Sequence, residues 1–208
     1  MNLDKKTGIN LTKGSKISLV KENKKLEQVC IGLDWGTIKK KALGLFTTET
    51  AVDLDASVAM FDETNRKVDV VFFNRLMSTD GSVRHSGDDR TGDSSADNTD
   101  NEIIFVNLPK VHPKITTIVF FLNSYKGQDF QTIPYSKIRI FEGNKKEVIS
   151  VFATFNLSAE QAFSGKVAMI MGKLVRTNDS WEFQTIGEPS NTKDLNETIE
   201  EIKTKYLY

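Results

Sequence analysis

Apolar residues in this chain come in about ten short bursts rich in Val, Ile and Phe, separated by clusters of Gly, Asn, Asp or Ser. A chain broken up in this way has few stretches long enough for an amphipathic helix, so it must bury its apolar surface in strands. The bursts fall at 17–20, 28–34, 53–61, 68–73, 103–107, 116–122, 137–141, 148–155, 167–176 and 181–186. Several alternate, as where Trp181, Phe183 and Thr185 interleave with Glu182, Gln184 and Ile186, the pattern of a strand with one wet face. Gly143-Asn144 and Asn178-Asp179 sit where tight turns join neighbouring strands, because both residue types tolerate positive φ. The expected fold is all-β: an antiparallel β-sandwich of about ten strands with one short connecting helix and a C-terminal helix. The connecting helix is expected at Ser158-Ala159-Glu160-Gln161, which has capping-box spacing, with Gly165 as its stop. For the second helix, Asn191 or Thr192 offers a cap after Pro189, and Leu195, Ile199, Ile202 and Tyr206 recur at helical spacing, with Glu201 and Lys205 as an i,i+4 pair. The chain therefore divides into a sandwich domain, 1–188, and a helical extension, 189–208, packed on that domain or projecting from it.

Charge narrows the function. Lys plus Arg and Asp plus Glu are both 28, so the net charge is zero and no nucleic-acid partner is expected, since phosphate binding needs a concentrated basic excess. Cys30 is the single cysteine and can form neither an internal disulfide nor a Cys-rich zinc site, which suits a reducing, cytoplasmic setting. It sits in an apolar burst, as a small buried hydrophobe does. The first sixteen residues lack the apolar run of a secretory leader, and no run is long enough for a membrane span. Trp35 and Trp181 are expected in the core.

The acids are concentrated. Residues 78–102, STDGSVRHSGDDRTGDSSADNTDNE, have no apolar period and read as one long loop carrying seven acids. Two carboxylates ~4 Å apart repel by about 1 kcal/mol in water and by several times that near a low-dielectric surface, so an ordered loop of this kind calls for a cation. Oxygen-only ligands and glycines at 81, 87 and 92 suit calcium better than zinc. Asp53 and Asp55, two apart in the run VDLDAS, lie on one face of a strand and can anchor the same ion. The candidate ligands are Asp53, Asp55, Asp80, Asp88, Asp89, Asp93, Asp97, Asp100, Asn101 and Glu102, for one or two Ca2+ ions. EF-hand spacing fails at every start. On composition alone, a solvated linker explains the loop equally well.

The segments LTKGSKISL (11–19), IGLDW (31–35), VDLDASVAMF (52–61), VVFFN (70–74), STDGSVRHSGDDRTG (78–92), VNLPKV (106–111), VAMIMGKLVR from 167 and WEFQTIGE ending at 188 resemble the TerD family of tellurium-resistance and stress proteins. The resemblance covers roughly residues 10–188. It implies a calcium-binding β-sandwich that is not an enzyme and that acts in a stress response by calcium-dependent loop ordering and assembly with other proteins of a stress-response complex. Carried over residue by residue, the best matches to the family's metal site are Asp53, Asp55, Asp80, Asp88, Asp100 and Glu102. This chain departs from the family pattern in a longer link after the RTG, in Asn101 at the middle of an acidic triplet, and in Asp89 where Asn is common. Asn brings less charge, so one of the family's two calcium positions is expected to be weakened. The helix beyond 189 is similar to an addition to that pattern.

Two other classes compete. A calcium-dependent membrane-surface module would insert aromatic residues, and the acidic loop has none. A metal-dependent hydrolase would draw on Ser82, His85, Ser86 and Asp88, but these crowd on one loop without a nucleophile-elbow context. His85 is expected to brace the loop, His112 to lie on the surface, and Lys39, Lys40 and Lys41 to form a solvated run between strands.

Overall fold

Strands form wherever the period-two pattern was read, and at four places where it was not. A computed structural model describes residues 15–21, 24–42, 46–95, 99–144, 147–158, 160–178 and 180–208. In chain order the first strands are β1 (Lys16–Ser18), β2 (Val20–Lys21), β3 (Lys24–Lys25), β4 (Gln28–Trp35), β5 (Ile38–Ala42) and β6 (Phe46–Thr50). Then come β7 (Leu54–Asp62), β8 (Lys67–Val71), β9 (Val83–His85), β10 (Glu102–Asn107) and β11 (Ile115–Ser124). The last are β12 (Ser136–Asn144), β13 (Glu147–Asn156), β14 (Ala168–Arg176) and β15 (Trp181–Ser190), followed by the helix α1 (Leu195–Lys205).

Two antiparallel sheets form the sandwich, with orders β1-β15-β14-β11-β7-β8 and β13-β12-β4-β10-β9. Alternation decides which side chains meet between them. Ala56, Val58 and Met60 of β7 and Ile118, Phe120 and Leu122 of β11 enter the inter-sheet core with Val29, Ile31, Leu33 and Trp35 of β4. The intervening Ala59, Phe61, Val119 and Phe121 face outward, where Ile199 and Ile202 of α1 cover them. The helix therefore packs on its own sheet, and Lys173 Nζ donates to the Tyr206 carbonyl at 2.6 Å to hold its end. Trp35 and Trp181 are both buried, as is Cys30.

Several local expectations need correction. The 158–165 helix is only a three-residue 3₁₀ turn, Gln161–Phe163, with Glu160 at its N-cap and no side-chain cap bond. Ser158 does not cap because its hydroxyl accepts from the Ser136 amide and contacts Asn156. The cap of α1 is Asp194, which accepts from the amides of Asn196 and Glu197, rather than Asn191 or Thr192. The β15 strand runs through Pro189 to Ser190, which pushes the start of the helix later. Lys39–Lys41 lie in a two-stranded ribbon, β5 paired with β6, not in a loop. The acidic stretch 78–102 contains a strand, β9, paired with β10. The Glu201–Lys205 pair forms at 2.9 Å. Asp179, of the second expected turn, lies outside the described residues.

Candidate metal centre

The antiparallel pairing of β7 with β11 sets Asp55 opposite Asn123, and the Tyr125 amide donates to the Asp53 carbonyl at 2.9 Å. Asp53 and Asp55, two apart, share the side of β7 that carries Ala59 and Phe61 further along. The acidic stretch folds back across this strand end and delivers Asp88. Carboxylate oxygens of Asp53, Asp55 and Asp88 lie within 4.8 Å of one another. Together with Phe73, Asn74, Arg90 and Tyr125 they line a cavity of about 260 Å³.

The three acids are served unequally. Asp88 is exposed, with Arg90 Nε 4.0 Å away, and Asp53 is buried, with Lys126 Nζ at 3.8 Å. Asp55 is only 5% exposed, and no hydrogen bond or ion pair among the described residues reaches its carboxylate. Burial, then the negative charges of Glu102, Asp53 and Asp88, push its pKa up to about 8. Burial also raises Asp53, against the pull of Lys126. A buried acid facing two others, with no donor turned toward it, is a set of hard oxygen ligands short of a positive charge. The donor set therefore fits a divalent cation.

The other sequence candidates are held apart from this cup by donors of the chain itself. Asp80 accepts from the Ser78 hydroxyl, from the Ser82 amide and hydroxyl, and from the His112 amide, closing the turn before β9. Burial alone would raise its pKa, but these bonds outweigh it and hold the carboxyl low. Asp89 is likewise held low against burial, by the Thr91 and Gly92 amides, the Thr91 hydroxyl and the Asn101 amide group. Asn101 Oδ1 in turn accepts from the Trp35 amide. The backbone of Asp93 bonds to Trp35 and Thr37, stapling the stretch to the end of β4. Asp97 lies outside the described residues.

Asp100 points to a different partner. It receives a bidentate bond from Arg139, with Nε at 2.8 Å and Nη2 at 2.8 Å, on the outer side of the five-stranded sheet. A Cβ on Gly32 would run into this carboxylate, so the close approach depends on the glycine. Glu102 is fully buried, and its two oxygens do separate jobs: Oε2 accepts from the Ala56 amide at 3.0 Å, and Oε1 from the Asp89 amide at 3.2 Å. It thereby clamps the residue after Asp55 to the residue after Asp88. His85 Nδ1 accepts from the Gly87 amide, which leaves Nε2 facing Glu102 Oε2 at 3.3 Å. His85 therefore braces the stretch from inside, while His112 is exposed.

Sequence reasoning missed Phe73, Asn74, Arg90, Tyr125 and Lys126 at the cup and Arg139 at Asp100. Arg90 sits inside the RTG motif and was within reach, whereas Phe73, Asn74, Tyr125 and Lys126 arrive from strand ends, and Arg139 from within β12, that only the register brings close. A second hollow of about 470 Å³ lies beside Asp88 and is lined by residues 86–91 and Asn101. Its Asp89 and Asn101 are bonded to each other.

An antiparallel sandwich with an acidic cup at one strand end defines a class of β-rich proteins able to hold a cation there. The TerD domain model matches residues 7–201. The chain belongs to the TerD family. It is 32% identical over 196 residues to tellurium resistance protein TerZ of Serratia marcescens, covering 93% of this chain and 96% of that one. General stress protein 16U of Bacillus subtilis is 35% identical over 187 residues, covering 86% and 89% of the two chains. The solved structure of a TerD homologue from Streptomyces coelicolor superposes with a TM-score of 0.67 at 18% identity, over 86% of this chain and 96% of that one.

Proposed function

We propose that this chain is a calcium-binding, non-enzymatic stress-response protein of the cytoplasm, related in role to the tellurium-resistance and general stress proteins it is similar to. Its cation is held by Asp53, Asp55 and Asp88. The observation that carries this reading is Asp55, buried between two other acids without a donor among the described residues. Six to eight oxygens suit calcium, and three carboxylates with the Asn74 amide at the wall offer a large share of them. When bound, the ion supplies the positive charge that the cup lacks and joins the Asp88 segment to β7, so that a fixed face is presented to partner proteins. A single ion is expected, because Asp89 and Asn101 are already bonded to each other. A binding role rather than hydrolysis fits the hydroxyls nearby: Ser82 donates to Asp80, and Ser86 accepts from the Ile103 amide.

Calorimetric titration tests this directly. One calcium per chain is expected, with a melting temperature several degrees higher in calcium than in chelator, since an ion at 100 times its Kd adds about 2.7 kcal/mol. Absence of both heat and shift overturns the reading.

A further inference from the structure

We infer that the mouth of this cup docks on an anionic phospholipid surface, an inference that rests on the cation site proposed above. The cup is a site rather than a chance gathering of acids because Asp55, nine-tenths buried, faces it without a partner among the described residues. What surrounds the mouth is amphipathic. Tyr125 is 62% exposed and meets Phe73 edge to face at 5.6 Å, and both rings form walls of the cavity that holds Asp53 and Asp55. Phe73 and Asn74 occupy the tip of a tight turn closed by paired backbone bonds between Phe72 and Arg75. Leu76 and Met77, 43% and 50% exposed, follow on its return arm. These residues place exposed apolar surface on a tight, backbone-bonded turn beside the cup's mouth. Tyrosine, with an apolar ring and a polar end, is suited to the headgroup layer.

Charge selects the lipid. Asp53, Asp55 and Asp88 stand against the exposed side chains of Arg90 and Lys126, so the mouth of the ion-free cup carries no net positive charge. A divalent ion bound by the three carboxylates makes it net positive by one. Arg90 and Lys126 are then free to meet lipid phosphates, and the loaded mouth attracts an anionic surface. The acidic loop supplies no aromatic residue, as the sequence indicates, but the strand ends beside it do.

Flotation of the full chain with phosphatidylcholine vesicles, with and without phosphatidylserine, tests this in calcium and in chelator. The expected result is partition only where calcium and phosphatidylserine are both present, lost in Asp55→Asn and weakened by added salt. Arg90→Gln should lower partition roughly fivefold, the equivalent of about 1 kcal/mol per basic side chain near such a surface. Tyr125→Ser should lower it severalfold, and Met77→Ser does the same from outside the cavity wall. Calorimetry without lipid accompanies each variant. Calcium binding without partition overturns the lipid inference and leaves the cation site standing. Partition that persists in chelator overturns it, as does calcium-dependent dimerisation without vesicle uptake. Absence of calcium binding removes the cation site and this inference together.

Discussion

Asp55→Asn is expected to stabilise the ion-free fold and to lose most of that advantage in calcium, and the structure gives the size of the effect. Burial and the neighbouring carboxylates push the Asp55 carboxyl up to about 8 in the folded chain, against 3.8 for an unperturbed aspartate. Between those two pH values the metal-free folded protein holds a proton that the unfolded chain has released. Stability therefore falls as pH rises through that window, by about 1.4 kcal/mol per unit for this group. At pH 7 the window is a little over three units deep, so keeping an aspartate at this position costs the ion-free fold on the order of 4 kcal/mol. Asparagine has the shape of the neutral acid and no proton to lose. In demetallated buffer the variant should be more stable than the parent by up to that amount at pH 7, and nearly equal to it at pH 4.

In calcium the gap narrows. The parent gains about 2.7 kcal/mol at 100 times its Kd, whereas the variant, with one of three carboxylates gone, gains little. Urea denaturation at pH 4 and pH 7, with and without calcium, reads all eight states. Because binding must displace the Asp55 proton, calcium titration at pH 7 should also release up to about one proton, visible as a buffer-dependent heat. A variant less stable than the parent by the same margin in all four conditions would refute the argument, since the acid would then be an ordinary hydrogen-bonded core group.

Glu102→Ala should cost about 1–3 kcal/mol for each of the two amides it orphans, weaken calcium binding, and speed hydrogen exchange at Ala56 and Asp89; unchanged exchange at both sites removes the clamp. Arg139→Met leaves Asp100 buried and unpaired, at about 3–5 kcal/mol, and adding Asp100→Asn should recover much of that loss; a strictly additive double variant contradicts the pairing. Cys30, buried and raised to about 12 by burial and then by the charge of Asp100, should resist thiol reagents in the native state at pH 8 and react only on unfolding. Asp194→Ala should lower stability by about 1 kcal/mol by uncapping α1, as seen in denaturant midpoints.

The strands were legible because period two needs only local information: Trp181, Phe183 and Thr185 alternate in the sequence and are buried in the sheet. Strand β9 was not, since Val83-Arg84-His85 is too short to show a period and exists only because β10 pairs with it. The cap of α1 was misplaced for a similar reason. Pro189 reads as a breaker, but at the end of β15 it continues a pairing with Met169. At the cup, Asp53 and Asp55 were readable from their spacing and Asp88 from its motif. Their neighbours Phe73 and Tyr125 were invisible, because nothing local says that the end of β11 and the turn after β8 meet there.

What separates Asp55 from Asp80, Asp89 and Asp100 is the supply of donors, not the density of acids. Asp80 and Asp89 are ringed by amides and hydroxyls, and Asp100 by Arg139, so the fold already balances their charge. The same bonds hold the stretch from Ser78 to Asp93 in place through protein contacts alone. An ion at the cup therefore has little left to order in that stretch; it acts on charge, and on the segment that carries Asp88. Hydrogen exchange should accordingly be indifferent to calcium across 78–85 and slow on binding only around 86–90. Protection gained evenly across the whole stretch would mean that the ion builds the loop, and that the donor network is too weak to do so unaided.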